Sequence, residues 1–124
     1  MTHLMLVAHG SRREQSNDEM RQLPEKLKRL SDKYTSISTA FLEIAKPSIP
    51  EGLKRCIEEG ASSIIVVPCF LSSGRHVAED IPSEVSVIQR QHPNIAITLT
   101  AHLGDSAMLL PLLLDLAEKS EKTQ

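Results

Sequence analysis

Aromatic residues are nearly missing from this sequence: two Phe, one Tyr and no Trp among 124 residues, or 2% of the chain. A core of stacked rings is therefore excluded. Leu, Ile, Val and Ala must fill it, drawn from the 40% of residues that are apolar. Long apolar runs are missing too. None approaches the roughly 20 residues that a membrane helix needs. The first short run meets His9 before it could act as a secretory signal. These features read as a cytoplasmic protein with no membrane partner. Neither sign of charge dominates, since the formal net charge is -2. A dedicated nucleic-acid binder would carry a basic excess. Cysteine is scarce. Cys56 and Cys69 lack CxxC spacing and sit in apolar company, so they read as buried free thiols in a reducing compartment. The five glycines make neither a GxGxxG nor a Walker loop, which argues against nucleotide use.

What is present is an alternation of strand-like and helix-like runs. The strands are placed at about His3 to Ala8, Ile37 to Leu42, Ser63 to Val67 and Asn94 to Thr100. SIIVV at 63–67 does not alternate, as befits a strand covered on both faces. Between the first two strands, Met20, Leu23, Leu27, Leu30 and Tyr34 recur at steps of three and four, one apolar stripe of a helix. Pro24 should kink that helix or mark the start of its regular part. Ser48-Ile49-Pro50-Glu51 is a capping box opening a second helix. Ile49, Leu53, Cys56 and Ile57 form its buried face and Gly60 its stop. His76 to Gln91 reads as a helix broken by Pro82. Asp105 is placed as the cap of a last helix.

A βαβαβαβα order predicts a single flavodoxin-like α/β domain over residues 1–119. Its four-stranded parallel sheet has the order 2-1-3-4, with helices on both faces. Residues 120–124 form a polar tail expected to fray. The last helix is apolar on nearly all sides around LLPLLLDL. It must be covered twice, once by its own sheet and once elsewhere, and a partner subunit is the simplest cover. Pro111 within it, like Pro24, has no assigned functional role.

Ligands of open parallel sheets bind beyond the carboxyl ends of the strands, near the point where strand order reverses. His9 follows the first strand, Glu43 the second and His102 the fourth, while His76 comes nine residues after Val67. His9 and His76 should face each other at the reversal point. His102 could equally cap the last helix region. His3 and His92 fall at the opposite edge and read as structural. Two imidazoles with open positions suit a divalent ion such as Co²⁺, Ni²⁺, Fe²⁺ or Zn²⁺. An open site suits transfer of the ion, whereas a structural zinc site would be closed. Ser11, Arg12, Arg13, Lys46, Ser72, Ser73, Gly74 and Arg75 fall on the same edge. Arginine grips carboxylates with two parallel hydrogen bonds. The edge therefore suits one metal ion together with one polyanionic organic ligand.

AHGSR at 8–12, FLEIAKPSI at 41–49 and VVPCFLSSGRHVAEDIP at 66–82 resemble the short form of the sirohydrochlorin cobaltochelatase family, class II tetrapyrrole chelatases. The resemblance runs in order over nearly the whole chain, and the third motif is its most specific part. It implies insertion of a divalent metal, Co²⁺ first and Ni²⁺ or Fe²⁺ next, into sirohydrochlorin without a nucleotide. No other cofactor is implied. Larger members contain two such domains with the active site in the cleft between them, so a chain of this length implies a homodimer. The family's metal-binding histidines correspond to His9 and His76. Glu43 is carried over as a catalytic residue beside them. A non-catalytic carrier of metal or tetrapyrrole is the competing reading. A histidine phosphatase is disfavoured because Ala8 stands where the arginine of its RHG motif would be.

Overall fold

β1 (Thr2–Ala8), β2 (Ser36–Phe41), β3 (Ser63–Pro68) and β4 (Ala96–Leu99) pair in parallel in the order β2-β1-β3-β4, as the sequence predicts. The computed structural model describes residues 1–122. The helices are α1 (Glu14–Leu30), α2 (Ile49–Glu58), α3 (Ile81–Gln91) and α4 (Leu109–Lys122). The core lies between the sheet and α2 and α3. Met5, Val7, Ala40, Ile64 and Val66 meet Ile49, Leu53 and Cys56 from α2 and Ile81, Val85 and Ile88 from α3. α1 covers the opposite face over β2.

Local chemistry explains the helix ends. Ser48 Oγ accepts from the Glu51 amide while Glu51 Oε1 accepts from the Ser48 amide, the reciprocal capping box expected. The Ser48 amide holds the Glu51 carboxyl below the usual carboxylate range. Gly60, at φ +96°, ends α2 by letting the Ala61 amide turn back to the Cys56 carbonyl.

Several expectations are corrected. Pro24 neither breaks α1 nor starts it. The helix runs through it from Glu14 to Leu30, and Pro24 is buried. Proline cannot donate to the carbonyl four residues back, and here that carbonyl, of Met20, accepts from Thr39 Oγ1 at 2.9 Å instead. The partner strand thus replaces the missing helical bond. The stripe on α1 is also shorter than its spacing suggests. Leu30 is exposed and Tyr34 lies beyond the helix, because Ser31 turns to extended backbone. Cys69 is half-buried rather than buried, although both cysteines are free thiols raised by burial. His3 is 1% exposed, with neither ring nitrogen hydrogen-bonded among the described residues.

The last third departs most. His76–Asp80 forms one wide, π-type turn, and α3 begins at Ile81 with Pro82 in its first turn, where no amide is needed. Asp105 does not cap α4. It ends a short 3-10 turn from Leu103, and Ser106 Oγ accepts the Met108 amide at the helix start. Pro111 sits in the first turn of α4, where proline is tolerated. α4 does not lie on its own sheet. From Leu110 to Glu121 every residue is exposed. The face of β3 and β4 opposite α3 is correspondingly open, with Ala96 and Thr98 exposed. The helix also continues through Lys122, into the segment expected to fray, while residues 123–124 of that tail lie outside the described residues.

Candidate metal-binding site

The parallel pairing of β1 and β2 continues past both strand ends. The Leu42 amide donates to the Ala8 carbonyl at 2.9 Å and the Glu43 amide to the His9 carbonyl at 3.0 Å. This register sets His9 and Glu43 side by side, and His9 Nε2 lies 2.8 Å from Glu43 Oε1. Gly10 makes the approach possible. Its φ is +97°, and a Cβ there would stand 1.8 Å from the Glu43 carbonyl oxygen.

β3 borders β1 on the other side, and the Cys69 amide extends that pairing by donating to the Val7 carbonyl at 2.8 Å. The loop that follows carries His76 back over the sheet edge. The His9 and His76 ring centroids lie 4.9 Å apart, with Phe70 6.2 Å from His9. His9, Glu43 and His76 each offer a ligand atom, all within 4.8 Å of one another. All three side chains are about half exposed, at 49, 53 and 46%. A hydrated ion can reach them, and two nitrogens with one oxygen suit a borderline divalent metal. Three protein ligands leave coordination positions open.

A cleft of about 240 Å³ adjoins the cluster, lined by Leu42, Glu43, His76, Asp80, Ser83 and Glu84. Asp80 and Glu84 escape the strand-end reading because they belong to a helical stretch. Their signal is the step of four from His76 through Asp80 to Glu84, which places side chains on one helical face. Asp80 Oδ2 lies 2.7 Å from His76 Nδ1. Glu84 has a buried Oε2 without a partner among the described residues. Burial, and then the charge of Asp80, push its carboxyl up.

The basic and hydroxyl residues are more dispersed. Ser11 Oγ is engaged locally, accepting from the Arg13 amide at 3.0 Å. Arg12, Arg13 and Lys46 are exposed at the same edge. Ser72, Ser73, Gly74 and Arg75 form the exposed approach to His76, with Arg75 Nε 3.7 Å from Glu79. His102 is half-buried at the start of the 3-10 turn and does not join the cluster. Asn17 is a bracing residue that motif reading misses. It is 2% exposed, accepts from the Ser11 amide at 2.9 Å and donates to the Ser11 carbonyl at 2.7 Å. An amide side chain inside a helix is the available signal, since such groups often bond nearby backbone. Arg21 fastens the other loop by donating to the Lys46 carbonyl at 2.9 Å.

Comparison with known proteins places the sequence and the fold. The chain is 36% identical over 112 residues to the chloroplastic sirohydrochlorin ferrochelatase of Arabidopsis thaliana, covering 90% of this chain and 49% of that protein. It is 39% identical over 92 residues to the sirohydrochlorin cobaltochelatase of Methanocaldococcus jannaschii, covering 74% of this chain and 64% of that one. The chain thus spans about half to two thirds of the length of these relatives. The sirohydrochlorin cobaltochelatase of Sulfolobus acidocaldarius is closer in size, with 30% identity over 97% of this chain and 93% of that protein. Among solved structures, the sirohydrochlorin chelatase SirB from Bacillus subtilis subspecies spizizenii, in complex with cobalt, superposes with a TM-score of 0.83 at 26% identity. That match covers 95% of this chain and 50% of SirB. The CbiX family profile matches residues 3–120, nearly the whole chain, and together with these relatives and the shared fold it shows that the chain is a member of the CbiX family.

Proposed function

We propose that this chain inserts a divalent metal ion into sirohydrochlorin without a nucleotide, with Co²⁺ the first candidate ion and Ni²⁺ and Fe²⁺ the next. One observation carries the reading: ligand atoms of His9, Glu43 and His76, from three separate segments, lie within 4.8 Å of one another at an accessible sheet edge. The relatives are named for both cobalt and iron, which supports the reaction class more than the choice of ion.

In this mechanism the metal is a substrate, held by His9 and His76 with Glu43 beside them. Loading an ion on His9 Nε2 removes any proton from that nitrogen, and Glu43 at 2.8 Å is the adjacent acceptor. Handing the ion to the macrocycle displaces two pyrrole protons and frees the imidazole again: His9 Nε2 can take one, and Glu43, once it has released to solvent the proton it accepted on loading, can take the other. A loosely held ion exchanges its ligands for ring nitrogens one at a time, which a closed cage would prevent. The cleft of about 240 Å³ suits a hydrated ion more than a tetrapyrrole, so the ring lies across its mouth. Ser11, Arg12, Arg13, Lys46, Ser72, Ser73, Gly74 and Arg75 are the candidates for holding the ring's peripheral carboxylates. The direct test mixes purified protein with sirohydrochlorin and each ion in turn. The expected result is a catalytic change in the absorbance spectrum. Stoichiometric binding without turnover would support the carrier reading instead.

The same reading makes the working unit a homodimer. Leu110, Leu112, Leu113, Leu114 and Leu116 are each more than half exposed on α4. A monomer rarely leaves so continuous an apolar face in water. Docking α4 on a second copy covers it. Sedimentation should give twice the 13.7 kDa chain mass, and Leu112→Asp with Leu113→Asp should give the single chain. A monomeric wild type would remove the dimer from the proposal.

A further inference from the structure

We propose that Asp80 is the positioning residue of this site, fixing the tautomer and ring orientation of His76 so that Nε2 is the nitrogen offered to the metal. The inference rests on the metal-insertion reading for its consequence, but not for its geometry. His76 Nδ1 lies 2.7 Å from Asp80 Oδ2, four residues on. An ionised carboxylate is an acceptor only, so Nδ1 carries the hydrogen and donates it. In the neutral ring the other nitrogen then keeps its lone pair. A histidine that binds metal through one nitrogen commonly donates from the other to a carboxylate, which locks the ring and raises its basicity.

The backbone makes this pairing local and stiff. His76 and Asp80 share one wide turn, closed when the Ile81 amide donates to the His76 carbonyl. Pro82 follows, and with no amide it cannot donate to Ala78, the carbonyl an ordinary α-helical turn would use. Asp80 is thus held at the junction of the turn and α3, whose Ile81 is fully buried. His76 itself is half exposed and would otherwise be free to spin. At His9 the neighbouring carboxylate, Glu43, instead faces Nε2, the nitrogen that would take the metal. The two histidines are therefore oriented differently: His9 by a member of the metal cluster, and His76 by a carboxylate outside it.

The test begins on metal-free, ¹⁵N-labelled full-length protein, with long-range ¹H–¹⁵N spectra of the histidine rings recorded where they are neutral. His76 is expected as the Nδ1–H tautomer in the wild type. Asp80→Ala should shift it toward the Nε2–H form that free imidazole side chains favour. Asp80→Asn, whose carboxamide oxygen accepts the same hydrogen, should restore the wild-type tautomer. Co²⁺ titration followed by visible absorbance should then show roughly 10- to 100-fold weaker binding for Asp80→Ala, with Asp80→Asn recovering most of the loss. An unchanged tautomer in Asp80→Ala, in a protein with a wild-type amide spectrum, overturns the proposal. So does equal weakening of Co²⁺ binding by both variants, which would mean that charge alone matters. Because the tautomer is read without metal or sirohydrochlorin, a protein that fails as a chelatase can still pass or fail this test.

Discussion

His9→Ala and His76→Ala are each expected to lower kcat/KM for metal insertion by more than about 100-fold, exceeding the ~10- to 100-fold typical for losing a mere partner of a metal ligand. Each removes one of only two imidazoles, and Glu43 with the remaining ring makes too weak a set to strip waters from a divalent ion. Stability should hardly change. Both side chains are about half exposed, at 49 and 46%, and neither belongs to the core. Surface substitutions of this kind usually shift unfolding by no more than about 0.5 kcal/mol. Urea unfolding and a sirohydrochlorin metallation assay on the same preparations separate the two effects. A variant that folds normally and keeps the wild-type rate would strip that histidine of its role.

Gly10→Ala is expected to do the opposite, damaging the fold and the site together. The backbone at Gly10 has φ +97°, and the added methyl would meet the Glu43 carbonyl oxygen at 1.8 Å. Backbone strain of this kind costs about 1–3 kcal/mol, and overpacking against a rigid neighbour costs about 1–3 kcal/mol more. The loop cannot yield freely, since the Glu43 amide is bonded to the His9 carbonyl on one side and Asn17 grips Ser11 on the other. Relief requires moving His9 away from Glu43. The variant should unfold at clearly lower urea and bind Co²⁺ more weakly in whatever fraction stays folded. Wild-type stability would mean that the β1 and β2 ends are not locked together as described.

Much of this was legible along the chain. Alternating runs, the Ser48–Glu51 capping box and the Gly60 stop specify β-strands and helices from local chemistry, and short right-handed crossovers leave few sheet orders to choose from. The candidate ligands were legible because they follow strand ends. Asp80 and Glu84 were harder, since their partner groups sit within a helical stretch whose acidic residues look like ordinary solvated charge. Pro24 misleads because its cost depends on whether a neighbouring strand supplies a donor, and Thr39 does.

By itself, then, the sequence determined the α/β class, the strand order and which edge of the sheet carries the histidines, because those depend on periodicity, turn residues and chirality. Tertiary structure alone decided that His9 lies 2.8 Å from Glu43, that the two rings stand 4.9 Å apart, and that α4 leaves its own sheet bare. Each of these depends on distances between segments remote along the chain. Such distances are fixed by register and packing, which no local pattern encodes.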